Sequence, residues 1–488
     1  MLDSVGNMSQ TPPLPTRSKG AKIVVVSAVS LAGVVLLGAT FGAGYALQGT
    51  SILDIEAELA ADQSAVAVSD TRAQPITAGQ PIRVRTCSID DLATNPALAT
   101  FAGVVVDPQS GAVLFSRNED TSVTPASILK ILTATAALSA LGPDTRFETK
   151  VVASSNPASV VLVAGGDATL SSLPAGAQSV YVGAPKLADL AEQTIAAFSE
   201  GLADGARVRI TEVIVDASLW SSEDDWDESW KSDARANGFI SQVTPLQIDG
   251  DRQNPSAPIS RRGNDASDKA ARAFVSALRT AGNTARFVAI AEGTAEPGSR
   301  VLGSVLSQPV SELTSYMLKE SDNTLAEMLA RHVSLAVGLG GGSETLQEAL
   351  AGTLASRGFG SDQVSIQDGS GLSSLNQVEP RYITNLLTEV YRSPPPLNLV
   401  RDGLSVAGTD GSLKDRFTAA NNVAQGHVFA KTGSIEGVRS LAGFVAALDG
   451  TDLAFSFFST GEVDDATKDA IETVVTGLYT CGENLANF

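Results

Sequence analysis

The chain has 488 residues, a formal charge of -20 and 43% hydrophobic residues. That length carries one large or two medium domains, and that apolar content excludes a wholly disordered chain. The acidic balance excludes nucleic acid as a partner, because phosphates call for Lys and Arg.

Ile23 to Leu47 is an uncharged, mostly apolar run. As a helix it spans about 37 Å, more than the roughly 30 Å of a bilayer core. Arg17, Lys19 and Lys22 precede it, and the first charge after it is Asp54. The sequence therefore predicts a cytoplasmic tail over 1–22, a single transmembrane helix over 23–47 that holds the protein in the lipid bilayer, and an extracytoplasmic remainder. The competing reading is a cleaved signal peptide with Gly44-Tyr45-Ala46 as its small-x-small site. The run exceeds the usual apolar stretch of about 7–15 residues, which favours the anchor. Gly38 and Gly42 form a small-xxx-small pair that reads either as a helix-dimer face or as ordinary membrane-helix glycine. Residues 48–85, rich in Ala, Ser, Gln, Asp and Pro, read as a stalk with a short helix over Ile52–Ala61. Outside the membrane a disulfide persists, so the two cysteines, Cys87 and Cys481, are expected to join the start of the globular part to its last helix.

Phe101–Asp107 and Ala112–Ser116 flank a Pro-Gln-Ser-Gly turn and read as a hairpin. A helix follows from Ser127 to near Gly142, apolar almost all round, as a buried helix is. Between about 149 and 305 the texture changes: short β-like runs (Val160–Ala164, Val208–Val215) mix with helical stretches (Lys186–Gly201, Asp265–Gly282). Trp220, Trp226 and Trp230 crowd one acidic stretch there, either as a ligand platform or as loop anchors. Helices are predicted over Pro309–Lys319, Thr324–Leu335, Ser343–Arg357 and Pro380–Tyr391. The end is sheet-like: Val428–Gly433, Ser440–Leu448 and Leu453–Ser459, then an amphipathic helix over Val463–Tyr479. Strands at both ends with helices between imply one sheet built from both termini.

Chemistry concentrates in three short motifs. Ser127 and Lys130, three apart, share a helix face, and Lys130 sits among Ile128, Leu129, Ile131 and Leu132. A lysine buried there loses its charge readily and can serve as base to the serine; the bland reading is a snorkelling lysine. Ser321-Asp322-Asn323 lies between two helices, as a cleft-facing turn or as a helix cap. Lys431-Thr432-Gly433, followed by Ser434, ends a β-like run. It offers a charge, a hydroxyl and a bare backbone to a ligand carboxylate, or is simply a strand end. Only two histidines exist, His332 and His427, and no His-Glu-x-x-His, so a zinc peptidase lacks its ligands.

In that order, Ser-x-x-Lys, Ser-x-Asn and Lys-Thr-Gly make the trio of penicillin-binding proteins and active-site serine β-lactamases. With Gly165-Gly-Asp-Ala-Thr-Leu, Val215-Asp-Ala-Ser-Leu, Ser321-Asp-Asn-Thr-Leu-Ala-Glu and Asp368-Gly-Ser-Gly-Leu-Ser, the chain from about Thr86 onward resembles the class C low-molecular-mass penicillin-binding proteins, the D-alanyl-D-alanine carboxypeptidase/endopeptidase family. The resemblance implies an α+β penicillin-binding/serine β-lactamase-like domain over 86–488: an antiparallel sheet flanked by helices, a helical subdomain, and a large insertion at about 149–305. It implies catalytic roles for Ser127, Lys130 and Ser321, and substrate contacts from Asn323, Lys431, Thr432, Gly433 and Ser434. Backbone N–H groups of Ser127 and Ser434 would form the oxyanion hole. The implied partners are peptidoglycan stem peptides and, as inhibitors, β-lactam antibiotics; no cofactor is required. Two positions depart from the pattern: Ala168 stands where Pro is usual, and Ser374 where Arg is common, while Asn376 is kept. A class A β-lactamase would carry Glu-x-x-x-Asn between Ser321 and Lys431; the single match, Glu483 to Asn487, lies beyond both. The remaining alternative is a non-catalytic wall-binding protein on the same fold.

Overall fold

The computed structural model describes residues 85–486; the expected tail, anchor and stalk lie outside them. Among the described residues, no helix is long and apolar enough to cross a membrane. The hairpin forms as β1 (Thr100–Val106) and β2 (Val113–Arg117). A 3-10 turn over Ala126–Ile128 leads into α1 (Leu129–Ala140). The inserted stretch builds a second sheet from β3 (Glu148–Ala153), β4 (Ser159–Val163), β5 (Glu212–Asp216), β6 (Ala289–Glu292) and β7 (Val301–Leu306), with α2 (Leu187–Ser199) and α3 (Ala266–Ala281). Then come α4 (Val310–Glu320), α5 (Asn323–Ala336), α6 (Leu346–Ala355), the two-residue pair β8 (Val364–Ser365) and β9 (Gln377–Val378), and α7 (Pro380–Arg392). The chain closes with β10 (Ser405–Val406), β11 (Val428–Ile435), β12 (Val438–Ala446), β13 (Asp452–Thr460) and α8 (Asp465–Cys481).

The first sheet has six strands in the order β10-β11-β12-β13-β1-β2, all antiparallel. It unites both ends of the chain: Thr100 pairs with Thr460 and Val106 with Ala454. Side chains alternate between its faces, and both faces are apolar because both are covered. Val105, Leu441, Phe455 and Phe457 point toward α8, with Val474, Val475 and Leu478. Val104, Val106, Phe444 and Phe458 point toward the helices carrying Leu132, Met317, Leu329 and Leu387. Asp464 and Thr467 cap α8 reciprocally, and its last residue, Cys481, is joined to Cys87. The second sheet is mixed, in the order β6-β5-β4-β3-β7, with β4, β5 and β6 parallel. It packs its own apolar core around Leu162, Val213, Leu190 and Phe274.

Two elements differ from their sequence reading. The run Val208–Val215 is a strand only from Glu212; upstream, the Asn283 side chain holds both the N–H and the carbonyl of Ile210, at 2.9 Å each, in place of a neighbouring strand. Lys431-Thr432-Gly433 lies inside β11 and not at its end. The strand runs on to Ile435 because the turn is made later, at Glu436-Gly437, where Gly437 takes φ 73°.

Candidate active site

Ser127 sits on the 3-10 turn that opens α1, and Lys130 one turn further in. Every residue from Leu129 to Leu138 is buried, because α1 runs between α4, α5 and α6. That packing clamps the helix behind Ser127 from all sides. Gly371 comes so close that a Cβ there would lie 1.9 Å from the Ala126 carbonyl oxygen. On the other side Ser440 Oγ donates to the Pro125 carbonyl at 2.9 Å. Gly433 makes this approach possible, since its Cβ would lie 2.1 Å from Ser440 Oγ and 2.9 Å from the Pro125 oxygen. The glycine of Lys-Thr-Gly thus makes room for the serine's own turn.

Lys130 is fully buried, and its ammonium has three partners: Ser127 Oγ at 3.0 Å, Asn323 Oδ1 at 2.6 Å and the Ser370 carbonyl at 2.6 Å. Asn323 Nδ2 donates to the Phe239 carbonyl at 3.0 Å, which fixes the amide so that its oxygen faces the lysine. Two of the three partners can only accept. A neutral amine keeps two protons, gives them to those carbonyl oxygens, and turns its lone pair to the one partner that can donate, the Ser127 hydroxyl. Burial lowers the Lys130 pKa from 10.5 to about 8, against the opposing charges of Asp368, Glu327 and Asp322. The geometry lets a neutral Lys130 accept a proton from the Ser127 hydroxyl.

The other motif residues fall into two groups. Ser127, Ser321, Asn323 and Ser434 line one cavity of about 480 Å³, of the size that takes a small ligand. Lys431, Thr432 and Gly433 are not among its lining residues. Lys431 is wholly buried and donates to the Thr432 carbonyl at 2.9 Å, and Thr432 Oγ1 donates to Ser412 Oγ at 2.8 Å. Burial, and then the Lys130 charge, push Lys431 well below the ordinary lysine range. Ser321 closes α4 in a left-handed conformation, φ 58°, and the Asp322 side chain caps α5 by accepting from Leu325 N at 3.0 Å. The cleft reading and the cap reading of Ser321-Asp322-Asn323 are therefore both satisfied, by different residues.

Neither histidine faces the cavity. His332 stacks on Phe147 with ring centroids 3.6 Å apart, and burial takes its pKa down to about 4. His427 lies against Tyr479. The tryptophans are anchors: Trp220 Nε1 donates to the Val243 carbonyl at 2.9 Å, Trp230 Nε1 to Asp368 Oδ2 at 2.8 Å, and Trp226 packs edge-on against Trp230. Ser374 is exposed, and its carbonyl accepts from Thr124 Oγ1, whereas Asn376 is buried and braces Asp368 at 3.0 Å.

A family model described as D-Ala-D-Ala carboxypeptidase 3 (S13) matches residues 85–257 and 251–480. The chain belongs to this S13 family of serine D-Ala-D-Ala carboxypeptidases. A carboxypeptidase of Mycobacterium tuberculosis is 33% identical over 422 residues, 86% of this chain and 87% of that one. The carboxypeptidase DacB of Mycolicibacterium smegmatis is 31% identical over 423 residues, 85% and 89% of the two chains. In fold, this S13 carboxypeptidase is similar to penicillin binding protein 4 of Haemophilus influenzae, with a TM-score of 0.66, 21% identity, and coverage of 81% of this chain and 100% of that one.

Residues that sequence reasoning passed over also meet at the cavity. Arg252, Arg262 and Phe239, from the inserted stretch, line it, and the Phe239 carbonyl orients Asn323. A sequence signal existed for one of them: Asp249-Gly250-Asp251 is a turn-forming triplet directly before Arg252.

Proposed function

We propose that this enzyme cleaves the terminal D-alanine from peptidoglycan stem peptides through an ester on Ser127. The observation that carries the reading is the buried Lys130 amine 3.0 Å from Ser127 Oγ, its other contacts being carbonyl oxygens. Ser127 Oγ attacks the carbonyl of the penultimate D-alanine while neutral Lys130 takes the hydroxyl proton. The negative charge gathering on the carbonyl oxygen falls to the backbone N–H groups of Ser127 and Ser434. Ser321 passes a proton to the departing D-alanine amine, and Asn323 steadies both Lys130 and the substrate amide. The Lys431-Thr432 stretch of β11 is assigned to the substrate's terminal carboxylate, as the motif implies. Water then hydrolyses the ester. A β-lactam closes the same bond to Ser127 and stalls there; the Haemophilus influenzae penicillin binding protein 4 has a crystal structure in complex with a novel β-lactam. The apolar run over 23–47 anchors the protein in the cell membrane with this domain outside.

The test is incubation of the full chain with a pentapeptide ending in D-Ala-D-Ala and with a D,D-crosslinked dimer, read by mass spectrometry. Loss of one alanine from the pentapeptide, abolished by Ser127→Ala, is expected; cleavage of the dimer measures an endopeptidase branch of the same chemistry. An intact pentapeptide would contradict the proposal.

A further inference from the structure

The cavity wall opposite Ser127 comes from the inserted stretch, and there it does more than cover. Arg252 Nη2 lies 2.8 Å from Asp322 Oδ2, with the two side chains 3% and 2% exposed. Tyr181 OH donates to the same carboxylate oxygen at 2.9 Å and accepts from Arg252 Nη1 at 2.7 Å. Asp322 is the middle residue of Ser321-Asp322-Asn323, so its carboxylate is tied to the backbone carrying two cavity-facing groups. We propose that Arg252 is a positioning residue for the reaction: by holding Asp322 it fixes Ser321 and Asn323 relative to Ser127.

The surroundings are built for that task. Burial alone would raise the Asp322 carboxyl, but the charges of Arg252 and Arg262 overcome it and hold the group at about 2, so it stays an anion. Asp249, Gly250 and Asp251 run consecutively in left-handed backbone, at φ 53°, 58° and 56°. Two of the three are not glycine, and such residues persist only where their surroundings over-determine them. A Cβ at Gly250 would lie 2.6 Å from both Arg252 Nη1 and Tyr181 OH, so any larger residue there must displace this network. Arg262 Nη1 donates to the Gly250 carbonyl, and its Nη2 donates to the Gly238 carbonyl at 3.3 Å. The next residue after Gly238, Phe239, is the one whose carbonyl accepts from Asn323. One arginine therefore holds Ser321 and Asn323 through Asp322, and the other braces the segment that orients the Asn323 amide. Ser321 has no freedom to spare, because φ 58° is unfavourable for a serine unless its neighbours are pinned.

The inference rests on the acylation chemistry proposed above, and its test keeps the two apart. Acylation of the full chain by penicillin is followed in time, with noncovalent affinity and melting temperature measured on the same samples. Arg252→Gln should slow acylation about 100-fold, as a displacement of about 1 Å does, with little change in affinity. Arg252→Lys, which restores charge without the fork, should recover part of the rate. Because Arg252 acts through Asp322, the double variant Arg252→Gln/Asp322→Asn should be no slower than the slower single variant. Arg331→Gln serves as a stability control: Arg331 is a buried partner of Asp224, at 2.6 Å, and joins the inserted stretch to α5 without touching Ser321 or Asn323. It should lower the melting temperature and leave the acylation rate near wild type. Should Arg252→Gln fail to fold, Tyr181→Phe removes one hydroxyl from the same network and should slow acylation several-fold. Wild-type acylation rates in Arg252→Gln or Tyr181→Phe, additive losses in the double variant, or rate losses in Arg331→Gln equal to those in Arg252→Gln would overturn the inference. A wild-type chain that penicillin never acylates would overturn the chemistry beneath it.

Discussion

Acylation of this enzyme should switch on with rising pH, at a midpoint set by one buried amine. Lys130 accepts the Ser127 proton only when neutral, and burial brings its pKa down from 10.5 to about 8. The sign follows directly: below the midpoint the amine is charged and all three of its partners receive protons, so no lone pair faces Ser127. From these values, about a tenth of the enzyme carries a neutral Lys130 at pH 7 and about nine tenths at pH 9. The second-order rate constant for penicillin acylation should therefore rise about tenfold between those pH values and level off above. Glu327, pushed up to about 8 by burial and by Asp368, titrates in the same range, so the measured midpoint belongs to the coupled groups. The assay is rapid-quench labelling of the full chain by a fluorescent penicillin from pH 6 to 10, on wild type and Lys130→Met. The variant should be slower by about 10²–10⁴-fold and lose the pH limb. A flat wild-type profile, or the same limb in Lys130→Met, would refute the assignment of Lys130 as base.

Three further outcomes follow from the packing. Gly433→Ala drives a Cβ to 2.1 Å from Ser440 Oγ and so against the Ser440–Pro125 hydrogen bond; it should cost about 1–3 kcal/mol and slow acylation, and unchanged melting and rate would contradict this. Cys481→Ser opens the Cys87–Cys481 link across 394 residues of sequence; it should remove about 2–4 kcal/mol of stability, read as a lower melting temperature in oxidising buffer that reductant does not lower further. Glu327 has a folded pKa raised from 4.5 to about 8, so the stability it contributes is full below about pH 4.5 and lost as pH rises through 8. Glu327→Gln cannot lose it, and its melting temperature should gain on wild type from pH 5 to pH 9; a difference that does not vary with pH would contradict the raised pKa.

Much of this site was legible in the sequence because its chemistry lies in short motifs on strongly patterned elements. Ser127 and Lys130 are three apart on a helix whose apolar residues leave it no solvent face. The two-ended sheet announced itself by strand texture at both ends of the chain, and the disulfide by two cysteines placed beside those ends. What escaped was whatever depends on contacts between distant segments. Arg252 stands 70 residues before Asp322, and no periodicity links the two. Phe239 acts through its backbone carbonyl, which every residue possesses. The packing role of Gly433 also escaped, because the atoms that crowd it belong to the distant Ser440 and Pro125. The strand itself runs two residues further because the turn-forming Gly437, and not Gly433, ends it.

The measurement that bears most directly on the account is the intact mass of the full chain after exposure to penicillin, beside Ser127→Ala. A single long-lived adduct on the wild type, absent from the variant, is the predicted result. An adduct that disappears within seconds while penicillin is consumed would mean a β-lactamase on this fold. No adduct and no consumption would mean that Ser127 and Lys130 are architecture alone, and the enzymatic account would fall.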